Sequence, residues 1–179
     1  GKAIAIAFAY AGLQVKLIDA KVRPEQEFIQ YRQQVQQDLT QELTLLRTIQ
    51  FVQAEQIAVI QANIQILAKF LTQCDLIMEG VPEQTQAKQE IFSWLDQYIS
   101  PQCIIASTTS TFLVTDIAQM LSHPERVVNA HWLNPAYLIP LVELSRSEQT
   151  SDAAVEQLKS FLTAIGKVAV VCNAKAGYI

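Results

Sequence analysis

Apolar residues along the chain alternate between three-to-four spacing and short continuous runs, and each change of rhythm predicts an element. Residues 3–11 read Ala-Ile-Ala-Ile-Ala-Phe-Ala-Tyr-Ala and close on Gly12, which predicts a helix. Val15-Lys16-Leu17-Ile18-Asp19 predicts a short buried strand ending in an acid. Over residues 24–50, Phe28, Arg32, Val35, Leu39, Leu43 and Leu46 recur at helical spacing, and Pro24 suits the first turn. Residues 54–61 predict a second helix folded back on it, giving a helical hairpin over residues 24–61. Strands are expected at 63–67 and 75–80, then a helix at 84–98 burying Ile91, Trp94, Leu95 and Tyr98. After the turn Ser100-Pro101 come a strand at 103–107 and a helix at 113–121. Two further strands, 126–133 and 138–144, flank the turn signal Asn134-Pro135. Thr150-Ser151-Asp152 caps a helix running to Ile165, with Ala154, Leu158, Phe161, Leu162 and Ile165 on one face. Gly166 closes it, and residues 167–172 predict a last strand.

Helices alternating with short apolar strands predict an α/β fold with a doubly wound, largely parallel sheet. The 179 residues suffice for one domain with a sizeable core. Half the residues are hydrophobic and 17% are charged, an ordinary balance for a globular protein. The net charge of -4 argues against nucleic acid as a partner. No apolar run reaches the eighteen or so residues of a membrane span, so no membrane association is expected. Neither an initiator Met nor a signal-peptide pattern stands at the start. Cys74, Cys103 and Cys172 are scattered in apolar runs, which predicts buried free thiols in a reducing cytosol. With His123 and His131 the only histidines, no metal site is expected, and His123 reads as an exposed loop residue.

Three places carry candidate chemistry. His131 and Glu143 lie twelve residues apart on two adjoining strand-like runs, which side by side could bring them together. A carboxylate on one ring nitrogen fixes the histidine tautomer and stabilises the imidazolium formed when the other nitrogen takes a proton, as needed to deprotonate an alcohol. A core histidine held by a backbone carbonyl explains the spacing equally well. Ser107-Thr108-Thr109-Ser110-Thr111 puts hydroxyls at a strand's carboxyl end, where α/β sheets bind ligands, although such residues also cap helices. The small-residue helix, the strand and Asp19 form the second half of a dinucleotide-binding βαβ unit, in which the acid takes the adenosine ribose hydroxyls. The carboxylate favours NAD over NADP, and Lys21 and Arg23 argue the other way.

The motif His131-Trp132-Leu133-Asn134-Pro135 with Leu141-Val142-Glu143-Leu144 resembles the His-Phe-Phe-Asn-Pro…Leu-Val-Glu-Val signature of the L-3-hydroxyacyl-CoA dehydrogenases. The likeness runs nearly the whole chain, including Gly1-x-x-Ile4-Ala5-x-x-Phe8-Ala9-x-Ala11-Gly12. It implies the Rossmann-like NAD-binding domain of that family, with NAD as cofactor and a 3-hydroxyacyl-CoA as substrate. His131 would be the general base and Glu143 its partner; Ser110 would hydrogen-bond the substrate's 3-hydroxyl, and Asn134 would help position substrate and base. Gly1 matches the last glycine of the phosphate-binding fingerprint. Glu79, Gly80, Val81, Glu83 and Lys88 match Glu-Ala-Val-x-Glu-x-x-x-x-Lys, which places Glu83 and Lys88 beside the nicotinamide. Ser107, Thr109 and Ser110 match Ser-Asn-Thr-Ser, with Thr108 replacing the Asn that faces the cofactor cleft. The hairpin would help hold CoA. The resemblance further implies a first strand before Gly1, an Asn after Gly177-Tyr178, and a helical domain that covers the acyl chain and dimerises. A cytoplasmic homodimer is the expectation. Trp132-Leu133 and Thr108 leave open a sister dehydrogenase of a free 3-hydroxy acid such as carnitine or gulonate. A non-catalytic nucleotide-binding module is the more distant alternative.

Overall fold

The computed structural model describes residues 1–69 and 74–173, and the expected Gly177-Tyr178 pair lies outside them. The chain divides into two compact units, Gly1–Phe70 and Leu71–Ile179.

In the first unit, α1 (Lys2–Tyr10) leads to β1 (Val15–Ile18), the hairpin α2 (Glu25–Thr48) and α3 (Ala54–Ala62), and β2 (Ile64–Leu67). β1 and β2 pair in parallel, Val15 opposite Ile64. The alanines of α1 allow close approach, and Ala5, Ala7 and Ala9 are buried beside Ile4 and Ile6. Gly12 ends this segment at φ 86°, a conformation costly for a residue with a Cβ. Val35, Leu39, Leu43 and Leu46 form the buried stripe of α2. The expected stripe fails at its start, where Arg32 is exposed and Phe28 half-buried. Length explains this: a 24-residue helix runs about 36 Å, against about 13 Å for the nine residues of α3, so its first turns outrun their cover.

The second unit contains β3 (Leu76–Glu79), α4 (Thr85–Tyr98), β4 (Ile104–Ser107), α5 (Val114–Ala118), β5 (Val127–Trp132), β6 (Leu141–Arg146), α6 (Asp152–Ala164) and β7 (Val168–Asn173). Its five strands stand in the order β3-β4-β5-β6-β7. All neighbours are parallel except β5 and β6. Carboxyl ends of β3, β4 and β5 therefore share one edge of the sheet, and the antiparallel β6 begins there. The core is Phe92, Ile105, Ile117, Val127, Val142, Leu144, Leu158 and Leu162, all fully buried.

Two helices are rotated from the expected faces. α4 buries Lys88, Ile91, Phe92 and Leu95, while Tyr98 is exposed and Trp94 half-buried, their rings tilted against each other at 5.9 Å. The turn inward at Lys88 follows from an ion pair described below. α6 buries Val155 with Ala154, Leu158 and Leu162, and leaves Phe161 and Ile165 half-buried. Its N-cap is as expected: Ser151 Oγ accepts from Ala154 N at 3.2 Å. α5 is shorter than the 113–121 segment predicted, stopping before a 3-10 turn at Pro124–Arg126. Of the cysteines only Cys103 is buried; Cys74 and Cys172 are half-buried. The Sγ atoms of Cys74 and Cys103 lie 3.7 Å apart as reduced thiols.

Candidate active site

His131 and Glu143 face each other across the antiparallel β5–β6 ladder as direct partners. Opposite residues in such a pair project from the same face, which brings the side chains together. Nδ1 of His131 lies 2.7 Å from Oε2 of Glu143. The side chain of Glu143 is 3% exposed and that of His131 18%, so the acid is at the back of the pair and the ring in front. A carboxylate only accepts, so Nδ1 carries the proton and Nε2 is the basic nitrogen. Buried Trp132, Val142 and Leu144 flank the pair and fix the strands that hold it. His123 sits apart, exposed, with Nδ1 3.0 Å from Glu125 Oε1.

A second cluster stands at the carboxyl ends of β3 and β4. Lys88 is wholly buried and its Nζ donates to both carboxylate oxygens of Glu79 at 2.9 Å. Ser107 Oγ donates to Glu79 Oε2 at 2.6 Å, and Val81 N to Glu79 Oε1 at 2.6 Å. Burying this ammonium is tolerable only because the carboxylate neutralises it and the remaining lone pairs are used. Thr108 N donates to the carbonyl of Glu79 at 2.8 Å, tying the loop after β4 to β3.

Glu83 organises that loop. It accepts from Thr109 Oγ1 at 2.7 Å, Thr111 Oγ1 at 2.9 Å and Ser110 N at 3.3 Å, and Lys88 Nζ stands 4.0 Å away. Burial pushes its carboxyl up, but the hydroxyls of Thr109 and Thr111, the charge of Lys88 and the Ser110 amide together hold it below the usual glutamate range. The loop leaves Ser110 exposed, as is Asn134, two residues past the end of β5.

In the first unit, Asp19 follows β1 and is 5% exposed. Its Oδ1 accepts from Lys21 N at 3.1 Å and its Oδ2 from Arg23 Nε at 2.5 Å. The Arg23 guanidinium lies 4.6 Å over the Tyr31 ring, and the bond to Asp19 raises its pKa further. Gly1 is the exposed N-cap of α1, and a Cβ there would meet only Leu17 Cδ1, at 4.0 Å. This donor set fits a dinucleotide's adenosine end. A carboxylate has about four acceptor sites and two are used, while a helix N-terminus without a side-chain cap offers amides to phosphate.

The sequence reading matched Glu79 and Thr109 to motifs without giving either an organising role, and it passed over Lys167. Thr109 is buried and its Oγ1 accepts from Thr111 N and Phe112 N at 3.2 and 3.0 Å. Glu79 had a usable signal, an acid ending an apolar strand nine residues before a lysine. Lys167 had only its place between Gly166 and an apolar run.

The fold and these clusters define a Rossmann-like NAD-binding domain of the oxidoreductase class. Residues 1–175 match the model for the NAD binding domain of 3-hydroxyacyl-CoA dehydrogenase, and the chain belongs to that family. It is 39% identical over 104 residues to the peroxisomal fatty acid beta-oxidation multifunctional protein AIM1 of Arabidopsis thaliana, covering 58% of this chain and 14% of that one. A 5-formyl-3-hydroxy-2-methylpyridine 4-carboxylate 5-dehydrogenase from Mesorhizobium japonicum is 35% identical over 97 residues, covering 54% of this chain and 31% of that one. Crystalline 3-hydroxybutyryl-CoA dehydrogenase from Escherichia coli superposes with a TM-score of 0.86 at 27% identity, over 99% of this chain and 37% of that one. The matched segments thus cover well under half the length of each of these relatives.

Proposed function

We propose that this domain belongs to a dehydrogenase that interconverts an L-3-hydroxyacyl-CoA and its 3-ketoacyl-CoA. The observation that carries the reading is the 2.7 Å contact between His131 and a buried Glu143, set by strand register. Bound NAD supplies hydride acceptance. The chain's residues handle the proton and the positioning. The substrate hydroxyl gives its proton to Nε2 of His131 as the C3–O bond becomes a carbonyl, and Glu143 stabilises the imidazolium. Ser110, exposed on the Glu83-held loop, and Asn134, exposed after β5, orient the hydroxyl. Asp19 takes the adenosine ribose, and the amides at Gly1 face phosphate. Lys88 and Ser107 act on the cofactor through the backbone they fix, since Glu79 holds their polar atoms. Glu83 and Thr108 shape the loop against the nicotinamide.

The test is a full-length protein assayed with NAD and a series of 3-hydroxyacyl-CoA esters against the same free acids. Turnover confined to the CoA esters supports the reading. A free hydroxy acid as the better substrate would replace it with the second reading, a sister dehydrogenase of a small carboxylate. The 35% identity to the pyridine carboxylate dehydrogenase favours that alternative. On the first reading the full-length protein is a cytoplasmic homodimer, which sedimentation and fractionation test.

A further inference from the structure

Among the described residues of the second unit two lysines are buried, and they are held differently. Lys88 meets a carboxylate. Lys167, 8% exposed just before β7, meets carbonyls: Nζ donates to Ala136 O at 2.7 Å and Ile139 O at 3.0 Å. Among the described residues no carboxylate lies within ion-pair reach of it. Its Nζ also stands 5.7 Å over the ring of Trp132, the residue after His131. Burial alone pushes this ammonium below the usual lysine range. A group so costly to desolvate would be poorly chosen for packing, where methionine fills the same space without charge.

Both carbonyls belong to the segment joining β5 to β6, between His131 and Glu143. That segment folds on itself: Leu138 N and Ile139 N both donate to Pro135 O at 3.0 Å. Val168 N donates to Pro140 O at 2.9 Å, a second tie from the same end of β7. A single cation facing two carbonyls of one turn closes that turn as a C-terminal cap closes a helix.

We propose that Lys167 is a positioning residue of the catalytic pair: its ammonium pins the 133–140 segment, and through it holds Asn134 and the entry of β6 in working geometry. The inference rests on the dehydrogenase reading above. Misplacement of reacting groups by about 1 Å can cost on the order of a hundredfold in rate, so a loosened segment should be visible in turnover.

The experiment compares the full-length protein with K167M, K167Q and K167C. The last is also alkylated with 2-bromoethylamine to restore an ammonium at lysine length, and the parent is treated identically as a control. Three quantities are read: kcat with a 3-hydroxyacyl-CoA, the Kd of NADH by fluorescence titration, and amide hydrogen exchange. The expected result in K167M is a fall in kcat of about tenfold or more, with NADH affinity within about twofold. Exchange at Leu138 and Ile139 should quicken while Ile105 in β4 stays protected, and aminoethylation of K167C should recover most of the rate. K167Q is read the same way if K167M does not fold. Parent-like kcat in the variants would overturn the proposal. So would a joint loss of rate, NADH binding and protection throughout the sheet, or failure of both variants to fold, since either assigns Lys167 to folding alone. A parent without turnover on any hydroxyacyl-CoA would instead sink the dehydrogenase reading, and the exchange at Leu138 and Ile139 would still decide whether Lys167 holds the segment.

Discussion

At the scale of single residues, His131 and Asp19 make separable claims. Replacing His131 by Ala in the full-length protein removes the base and should lower turnover by about a hundredfold or more. Glu143→Gln keeps a side chain of the same shape but offers the imidazolium no charge, so it should slow turnover while NADH affinity stays close to the parent's. Steady-state rates across pH with parallel NADH titrations check both, and a parent-like rate in either variant would remove the pair from catalysis. Asp19 bears on the other end of the cofactor. Asp19→Ala should weaken NAD binding and narrow its margin over NADP, because ribose hydrogen bonds are lost and the repulsion of a 2′-phosphate disappears. Arg23, already 2.5 Å from that carboxylate, becomes available to the added phosphate. Calorimetric titration of both dinucleotides measures this, and an unchanged ratio would mean that Asp19 serves only to hold Arg23.

At the scale of elements, the carboxyl ends of β3 and β4 depend on one buried ion pair. Lys88→Met leaves the Glu79 carboxylate buried with only Ser107 and the Val81 amide, and should cost about 3–5 kcal/mol of stability by denaturant titration. A loss below about 1 kcal/mol would show that the pair contributes little beyond its packing. This cluster also marks how far the sequence could be read. Strand and helix positions were legible to within a few residues, because spacing reports periodicity directly. The His131–Glu143 pairing was legible in outline, since Asn134-Pro135 signals a turn and two short strands around it. Facing was less so. Trp94 and Tyr98 looked like core of α4, but spacing alone does not reveal that a lysine has a carboxylate to turn towards. Lys167 was opaque for a related reason, its partners being carbonyls that every residue carries. Arg32 looked like part of a buried stripe because nothing in the periodicity of α2 says where its cover ends.

For the molecule as a whole, charge sets the acid limit. Glu83 and Asp96 are pushed up by burial, yet hydrogen bonds, from Thr109 and Thr111 in one case and Ser122 in the other, hold both below their ordinary values of 4.5 and 3.8. The hydrogen bond from Lys2 does the same for Asp38. Folding lowers these pKa values, so their stabilisation is complete above the unfolded values and is lost as pH falls through the folded ones. Thermal midpoints should therefore fall as pH is taken below about 4.5, and a Glu83→Gln, Asp96→Asn double variant should show a shallower fall. Parallel curves for variant and parent would mean that other groups set the acid limit. Residues 1–179 hold two tryptophans, and one is Trp132, buried directly after His131 on β5 with the Lys167 ammonium 5.7 Å from its ring. An indole's emission colour responds to a nearby charge. With Trp94 changed to Phe, residues 1–179 would carry one intrinsic optical probe, a single residue along β5 from the base, and its spectrum would register changes at that strand without any label being added.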